Sequence, residues 1–285
     1  MKNLPSLSIL LFFLCSTIAG TVVAKTQPAT LAVKSVTLAV LMPAPAKKIH
    51  SQWKPLADYL SKKLNMKVDI VTPRGLEQAK KTLAEVDFVF ANSYLYDLLK
   101  EGAKIIPVVQ MENTSNSIYS QGRFLVRSDS PIKSVSELKG KKIALISPFG
   151  AGAYLAPKAY LMKHGIDIDK EVNINFTKDL KKAAYMVMLG EADAAVMCDV
   201  SYGILSKKVD TGELTFFDKT DAFPEGLIFT THESDNAMVK TVREALLNAD
   251  EDTMKPLRNM KIGKFVPYNE QVETRLKHLK KEANL

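Results

Sequence analysis

Hydrophobic positions along the chain switch repeatedly between two periods, and the switches mark the elements. Val36, Leu38 and Val40 recur at every second residue within 34–41, the spacing of a half-buried strand. Met42-Pro43-Ala44-Pro45 closes that run as a loop. From 53 to 64 the period lengthens. Trp53, Leu56, Ala57, Leu60 and Leu64 fall on one helical face with lysines opposite, so the indole is expected in a core. The same reading predicts strands over 68–71, 86–90 and 105–109, and helices over 76–83 and 94–100. Residues 119–127 predict one long strand that places Arg123 where it can bridge two halves of the molecule. Ser134 and Glu137 have capping-box spacing around a short helical turn. A short apolar run at 143–146 predicts a buried strand, and residues 154–162 a helix that ends near Gly165. Beyond it come strands over 169–176, 192–197 and 214–217, helices over 180–189, 238–249 and 269–281, and an extended return at 227–230.

Strands alternating with helices imply parallel pairing through right-handed crossovers. Two such sets are visible, one over about 34–118 and one over about 122–222, and the tail rejoins the first. The fold class expected is therefore α/β with two lobes, each a mostly parallel sheet flanked by helices. The extended segments near 119–124 and 223–229 cross between them as a hinge. A ligand in such an architecture sits between the lobes, at the carboxyl ends of the strands.

Composition leaves that picture intact and narrows the partners. Of 285 residues, 46% are hydrophobic and 25% charged, ordinary for a globular chain. The formal net charge is +8. The lysines are scattered as doublets such as Lys47-Lys48 and Lys80-Lys81, without a long block of like charge or a nucleic-acid-binding signature, so no nucleic-acid partner is expected. Lys2 followed by the apolar run 7–14 and by Val22-Val23-Ala24 reads as a secretory signal peptide over 1–24. Its removal leaves +8 − 1 = +7, because Lys2 is its only charge. Phe12-Phe13-Leu14 before Cys15 lacks the small residues of a lipidation site. Without Cys15 only Cys198 remains, so no internal disulfide is expected and the fold relies on its core. His50, His164, His232 and His278 lack metal-ligand spacing, and no cofactor is read.

The candidate chemistry gathers at loops after strands. Ser147-Pro148-Phe149 leads into Gly150, Ala151, Gly152 and Ala153, a stretch whose longest side chain after Phe149 is a methyl, and then into a helix. Backbone N–H groups and the helix dipole can hold an anion there, although any strand-to-helix turn can carry glycine for packing alone. Tyr154 opens that helix and either stacks on a ligand or fills the lobe. Asn92, Ser93 and Tyr94 follow another strand end, where Ser93 is either a helix cap or a contact and Tyr94 either a contact or packing. Met42 ends the first strand. Arg74 is the arginine of the first lobe's strand-end loops, fit to pair an anion or simply solvated.

Four passages resemble one family: Gln52-Trp53-Lys54-Pro55-Leu56-Ala57-Asp58-Tyr59-Leu60-Ser61-Lys62-Lys63-Leu64; Val86-Asp87-Phe88-Val89-Phe90 with its following loop; Ser130-Pro131-Ile132-Lys133-Ser134-Val135-Ser136-Glu137-Leu138-Lys139-Gly140-Lys141; and Gly150 through Lys158 with Leu189-Gly190-Glu191-Ala192-Asp193-Ala194-Ala195-Val196 downstream. In order and spacing they are similar to the periplasmic phosphate/phosphite/phosphonate-binding proteins of ABC importers, the PhnD-like group with the type 2 periplasmic-binding fold. The resemblance implies two lobes closing over a small, phosphonate- or phosphate-like anion, no catalysis, and a membrane permease as partner. A sensor kinase or receptor is the alternative partner, with a different ligand. It implies boundaries at 25–120 for the first part of lobe 1, 121–224 for lobe 2 and 225–285 for the return to lobe 1. A monomeric periplasmic protein is expected. Where such proteins carry Ser-Thr-Ser-Gly as the oxyanion loop, this chain has Gly150, Ala151, Gly152 and Ala153, with every hydroxyl gone. Lys178 stands in the loop where the family often has a histidine, and Asp199 at an acidic position that accepts bonds from an amine-bearing ligand.

Overall fold

Alternation of Val36, Leu38 and Val40 with Ala39 and Leu41 puts apolar side chains on both faces of the first strand, which is what a sheet covered by helices on both sides requires. In the computed structural model, which describes residues 35–232 and 236–285, that strand is β1 (Ser35–Leu41). It is followed by α1 (Ala46–Leu64), β2 (Lys67–Val71), α2 (Gly75–Thr82), β3 (Phe88–Ala91), α3 (Ser93–Lys100) and β4 (Ile106–Asn113). The chain then crosses through β5 (Tyr119–Ser120). The second lobe follows as β6 (Gly122–Arg127), β7 (Lys142–Leu145), α4 (Ala156–Lys163), α5 (Ile168–Glu171), β8 (Asn173–Phe176), α6 (Leu180–Met188), β9 (Ala194–Cys198), α7 (Asp199–Leu205) and β10 (Leu214–Lys219). It recrosses through β11 (Phe223–Pro224) and finishes as β12 (Leu227–Thr230), α8 (Ala237–Leu247), α9 (Glu251–Arg258), β13 (Ile262–Val266) and α10 (Gln271–Glu282). The expected leader over 1–24, with Cys15, lies outside the described residues.

The first lobe's sheet has six strands in the order β13-β4-β12-β3-β1-β2, and the second lobe's has five in the order β10-β6-β9-β7-β8. Each is mixed. β2, β1 and β3 pair in parallel, but the returning β12 inserts antiparallel between β3 and β4, and β13 is antiparallel to β4. Likewise β8, β7 and β9 are parallel, while β6 enters antiparallel to β9 and pairs antiparallel with β10. The crossing strands therefore reverse direction inside each sheet. β5 and β11 pair antiparallel with each other over two residue pairs, Phe223 with Ser120 and Pro224 with Tyr119, and form the hinge.

Helices cover both faces of both sheets. Val36, Leu38 and Val40 pack with Trp53 of α1 and with α8 and α9, while Ala39, Leu41 and Val89 pack with α3 and α10. In the second lobe Ala144, Ala195 and Met197 meet α6 and α7, and Ile143, Leu145 and Val196 meet α4 and α5. Trp53 is fully buried against Phe90, with ring centroids 4.7 Å apart. Several boundaries differ from those read in the sequence. α1 starts seven residues earlier, 53 − 46, because Ile49 extends its buried face. The run over 119–127 breaks at Gln121 into β5 and β6. Residues 168–171 form α5, capped by the Asp167 carboxylate, which accepts from the Asp169 N–H at 3.1 Å. α9 and β13 arise in a tail where only the flanking helices were expected.

Candidate functional site

The carboxyl ends of β3, β7 and β9 converge on the hinge, and one side chain ties two of them together. Asn92 caps α3 with Oδ1, accepting from the N–H groups of Tyr94 and Leu95 at 3.1 Å each. The same oxygen accepts from the Ala151 N–H of the other lobe, also at 3.1 Å. Ser93, fully buried, donates from Oγ to the Pro224 carbonyl of the recrossing strand at 2.6 Å. Asn92 and Ser93 thus hold lobe 1 to lobe 2 and to the hinge.

The glycine-containing loop is folded in upon itself. Ser147 Oγ accepts from the Phe149 N–H at 3.1 Å. The Gly150 carbonyl accepts from the Tyr154 and Leu155 N–H groups at 2.9 and 3.2 Å, opening a π-helical turn over Ala151–Leu155 ahead of α4. A Cβ at Gly152 would stand 2.3 Å from Phe223 Cζ and 3.1 Å from Cys198 Cβ, so the Phe223 ring rests directly on the glycine. In this arrangement the Ala151 amide of the expected main-chain cradle is engaged by Asn92, and Phe223 covers Gly152. Ala151, Leu155, Ala156 and Ala159 share one apolar cluster with Tyr94, Leu95 and Leu99 of α3 and with Val272, Leu276 and Leu279 of α10.

The other expected residues divide by position. Tyr94 is buried in that cluster, which pushes its phenol upward. Tyr154 packs edge-on against Phe176 with centroids 5.8 Å apart and donates from its hydroxyl to Asp169 at 3.0 Å; burial raises its phenol as well. Behind it, Lys158 is buried and pairs with Asp169 at 2.6 Å. Burial pulls its ammonium down, and Asp169 with Tyr154 outweighs that and leaves it raised. Asp199 pairs with Arg123, whose guanidinium lies 5.3 Å from the Phe216 ring centroid. Both partners belong to the second lobe, so Arg123 joins two strand ends rather than two lobes. Lys178 is exposed in a left-handed conformation, φ 60°, with its N–H donating to Ile146 at 3.0 Å. Met42 packs half-buried against the first core. Arg74 is exposed ahead of α2, and its guanidinium makes no ion pair among the described residues.

Two groups at the hinge lie beyond the sequence expectations. Glu225, 8% exposed, accepts from Asn113 Nδ2 at 3.0 Å and from the Ser120 hydroxyl. Burial pushes its carboxyl above the ordinary range, and Asp199 adds to the push. Gln110 donates from Nε2 to the carbonyls of Glu225 and Gly226 at 2.9 and 3.2 Å. Between Pro224 and Gly226 a glutamate reads in sequence as a solvated turn, so no local signal marks it. Cys198 lies beside Gly152, and burial followed by the Glu225 charge pushes its thiol up to about 11, which keeps it a neutral thiol near pH 7. Among the described residues no three His, Cys, Asp or Glu side chains group as metal ligands, and no helix is long and apolar enough to cross a membrane.

Solved structures share this architecture. XAC2383 from Xanthomonas citri, solved bound to ATP, superposes with a TM-score of 0.75 at 20% identity, covering 88% of this chain and 97% of that one. A binding protein component of an ABC phosphonate transporter from Pseudomonas aeruginosa gives 0.76 at 14% identity, covering 88% and 86%. PhnD1 from Prochlorococcus marinus, in complex with methylphosphonate, gives 0.75 at 14% identity, covering 88% and 98%. These likenesses establish the two-lobed type 2 periplasmic-binding fold. A family model described as "ABC transporter, phosphonate, periplasmic substrate-binding protein" matches residues 38–272, most of the chain. With strand-end loops of both lobes meeting at a paired hinge, the chain belongs to the family of periplasmic substrate-binding proteins of ABC phosphonate transporters.

Proposed function

We propose that the protein binds a small anionic solute of the phosphate or phosphonate class between its lobes and delivers it to its permease as a monomer. The observation that carries this reading is the Asn92–Ala151 hydrogen bond, which joins the strand-end loops of both lobes beside the hinge. A solute with more affinity for one lobe arrangement than another shifts the population toward it, and that shift is the signal a permease reads. The contacts proposed are Asn92, Tyr94, Ser147, Gly150, Gly152, Ala153 and Tyr154 around the inner loop, with Met42, Arg74, Lys178 and Asp199 at its margins. Ser93 and Ala151 serve the lobe junction. Residues 1–24 act as the export leader. No covalent chemistry is assigned, in keeping with the neutral Cys198 thiol.

A thermal-shift and calorimetric screen of the purified protein tests this. Methylphosphonate, 2-aminoethylphosphonate, phosphite and phosphate form one panel, amino acids and dicarboxylates the other. A member of the first panel at a hundred times its Kd should add about 2.7 kcal/mol of stability. Response to the second panel alone, with none to the first at millimolar concentration, would overturn the solute class.

A further inference from the structure

The polar cluster around Glu225 at the hinge is short of donors. Asn113 Nδ2 donates to the Glu225 carboxyl at 3.0 Å and to the Tyr119 carbonyl at 3.1 Å, which uses both of its N–H groups. Gln110 Nε2 is spent in the same way on the carbonyls of Glu225 and Gly226. The Cys198 thiol donates to Ser201 at 3.2 Å. Gln110 Oε1 is buried and has no partner among the described residues. One amide N–H and the Ser120 hydroxyl are what Glu225 receives, and no lysine, arginine or histidine among the described residues pairs with it. A buried carboxylate without a cation is costly, whereas a neutral acid is not, and it adds an O–H donor to a cluster with acceptors in surplus.

Both lobes build this enclosure. β4 supplies Gln110 and Asn113, and β5 supplies Ser120. The Glu225 N–H donates to the Ile118 carbonyl at 2.8 Å and so prolongs the β5–β11 ladder, which puts Glu225 on the same side as Phe223, two residues before it. Phe223 rests on Gly152 of lobe 2, where Cys198 also stands. Asp199, next in the chain after Cys198, acts on Glu225 with like charge while paired with Arg123 of β6. The remaining charged groups on these elements are turned elsewhere. Glu112, on the face of β4 opposite Asn113, meets Lys264 at 3.2 Å. Asp221 pairs with Lys163 at 3.0 Å, and Arg275 of α10 donates to the Ala222 carbonyl at 2.6 Å. The Tyr119 phenol takes the face of β5 opposite Ser120.

We propose that Glu225 couples the arrangement of the lobes to a proton: neutral, it lets β4, β11 and the Gly152 face of lobe 2 close around it, and ionised, it drives that enclosure open to water and the lobes apart. The proposal goes beyond the solute-binding reading and does not rest on it. Burial raises the Glu225 carboxyl above its ordinary 4.5, with Asp199 adding to the push, and a carboxyl that water reaches returns toward 4.5. The closed arrangement therefore holds one proton more than an opened one. Its advantage is complete below 4.5 and is lost as pH rises through the raised value. Between the two values the ratio of closed to open falls by up to about tenfold for each unit of pH.

Small-angle scattering of the purified protein without added solute, from acid to mildly alkaline pH at fixed ionic strength, tests this. The wild-type radius of gyration should be smallest in acid and should rise through a one-proton transition. Glu225→Gln cannot ionise and should keep the acid value at every pH. Asp199→Asn removes the neighbouring like charge and should move the transition to lower pH, a shift that a purely structural role for Asp199 does not produce. A wild-type radius that does not change with pH overturns the proposal. So does a transition that Glu225→Gln reproduces, or one that Asp199→Asn leaves in place. The wild-type and Asp199→Asn curves decide the matter without Glu225→Gln should that variant fail to fold. Because no solute is present, failure here leaves the solute-binding reading standing, and failure of the solute screen leaves this proposal standing.

Discussion

Glu225 is the residue whose chemistry differs most from its sequence appearance. Its carboxyl is enclosed at the hinge, and burial raises it above the ordinary glutamate value of 4.5, outweighing the two hydrogen bonds that favour ionisation. The native state therefore keeps a proton that the unfolded chain releases. This contribution to stability is complete below 4.5 and is lost as pH rises through the raised value. Glu225→Gln keeps an acceptor for Asn113 and Ser120 and cannot ionise. Its urea midpoint should match the wild type at acid pH and exceed it progressively toward neutrality. A variant destabilised by the same amount at every pH would show that the carboxyl is ionised and needed as such. Gly152 makes an opposite kind of demand, one of space. Gly152→Ala places a methyl inside the Phe223 ring and should cost about 1–3 kcal/mol of stability by overpacking. Phe223→Leu in the same chain should return part of that loss, so that a double-mutant cycle in denaturant gives a coupling energy of about 0.5 kcal/mol or more. Strict additivity would mean the two residues do not touch in solution.

At the scale of elements, the sequence was most informative where one period ran unbroken. β1, β3, α3, α6 and α8 lie within a few residues of their expected bounds because their apolar spacing decides them locally. The first turns of α1 were hidden because Lys47, Lys48, His50 and Gln52 surround the single buried Ile49. α9 was hidden because Pro256 interrupts a short run whose buried face is only Thr253, Met254 and Leu257. The direction of β12 was not legible either. Antiparallel insertion between β3 and β4 is decided by where the recrossing chain re-enters, a long-range matter that no local pattern carries. The candidate site divides along the same line. The loops were placed by strand ends, so Asn92, Ser93 and Gly150–Ala153 do meet. What each group does there depends on partners 59 and 131 residues away in sequence, Ala151 for Asn92 and Pro224 for Ser93. Glu225, Gln110 and Asn113 went unread for that reason.

At the scale of the whole molecule, the two lobes share a core as well as a hinge. The cluster that includes Tyr94, Leu99, Leu155, Ala159, Leu276 and Leu279 runs from one lobe into the other without a polar gap. Heating in a calorimeter should therefore give a single transition with equal van't Hoff and calorimetric enthalpies. Two resolved peaks would show that each lobe unfolds alone. The junction is greasy where α10 packs against α3, α4 and β11, and parting those elements exposes apolar area at about 25 cal/mol per Å². A swing of the lobes that keeps that flank shut avoids the loss, so α10 serves as a strap beside the paired crossing strands.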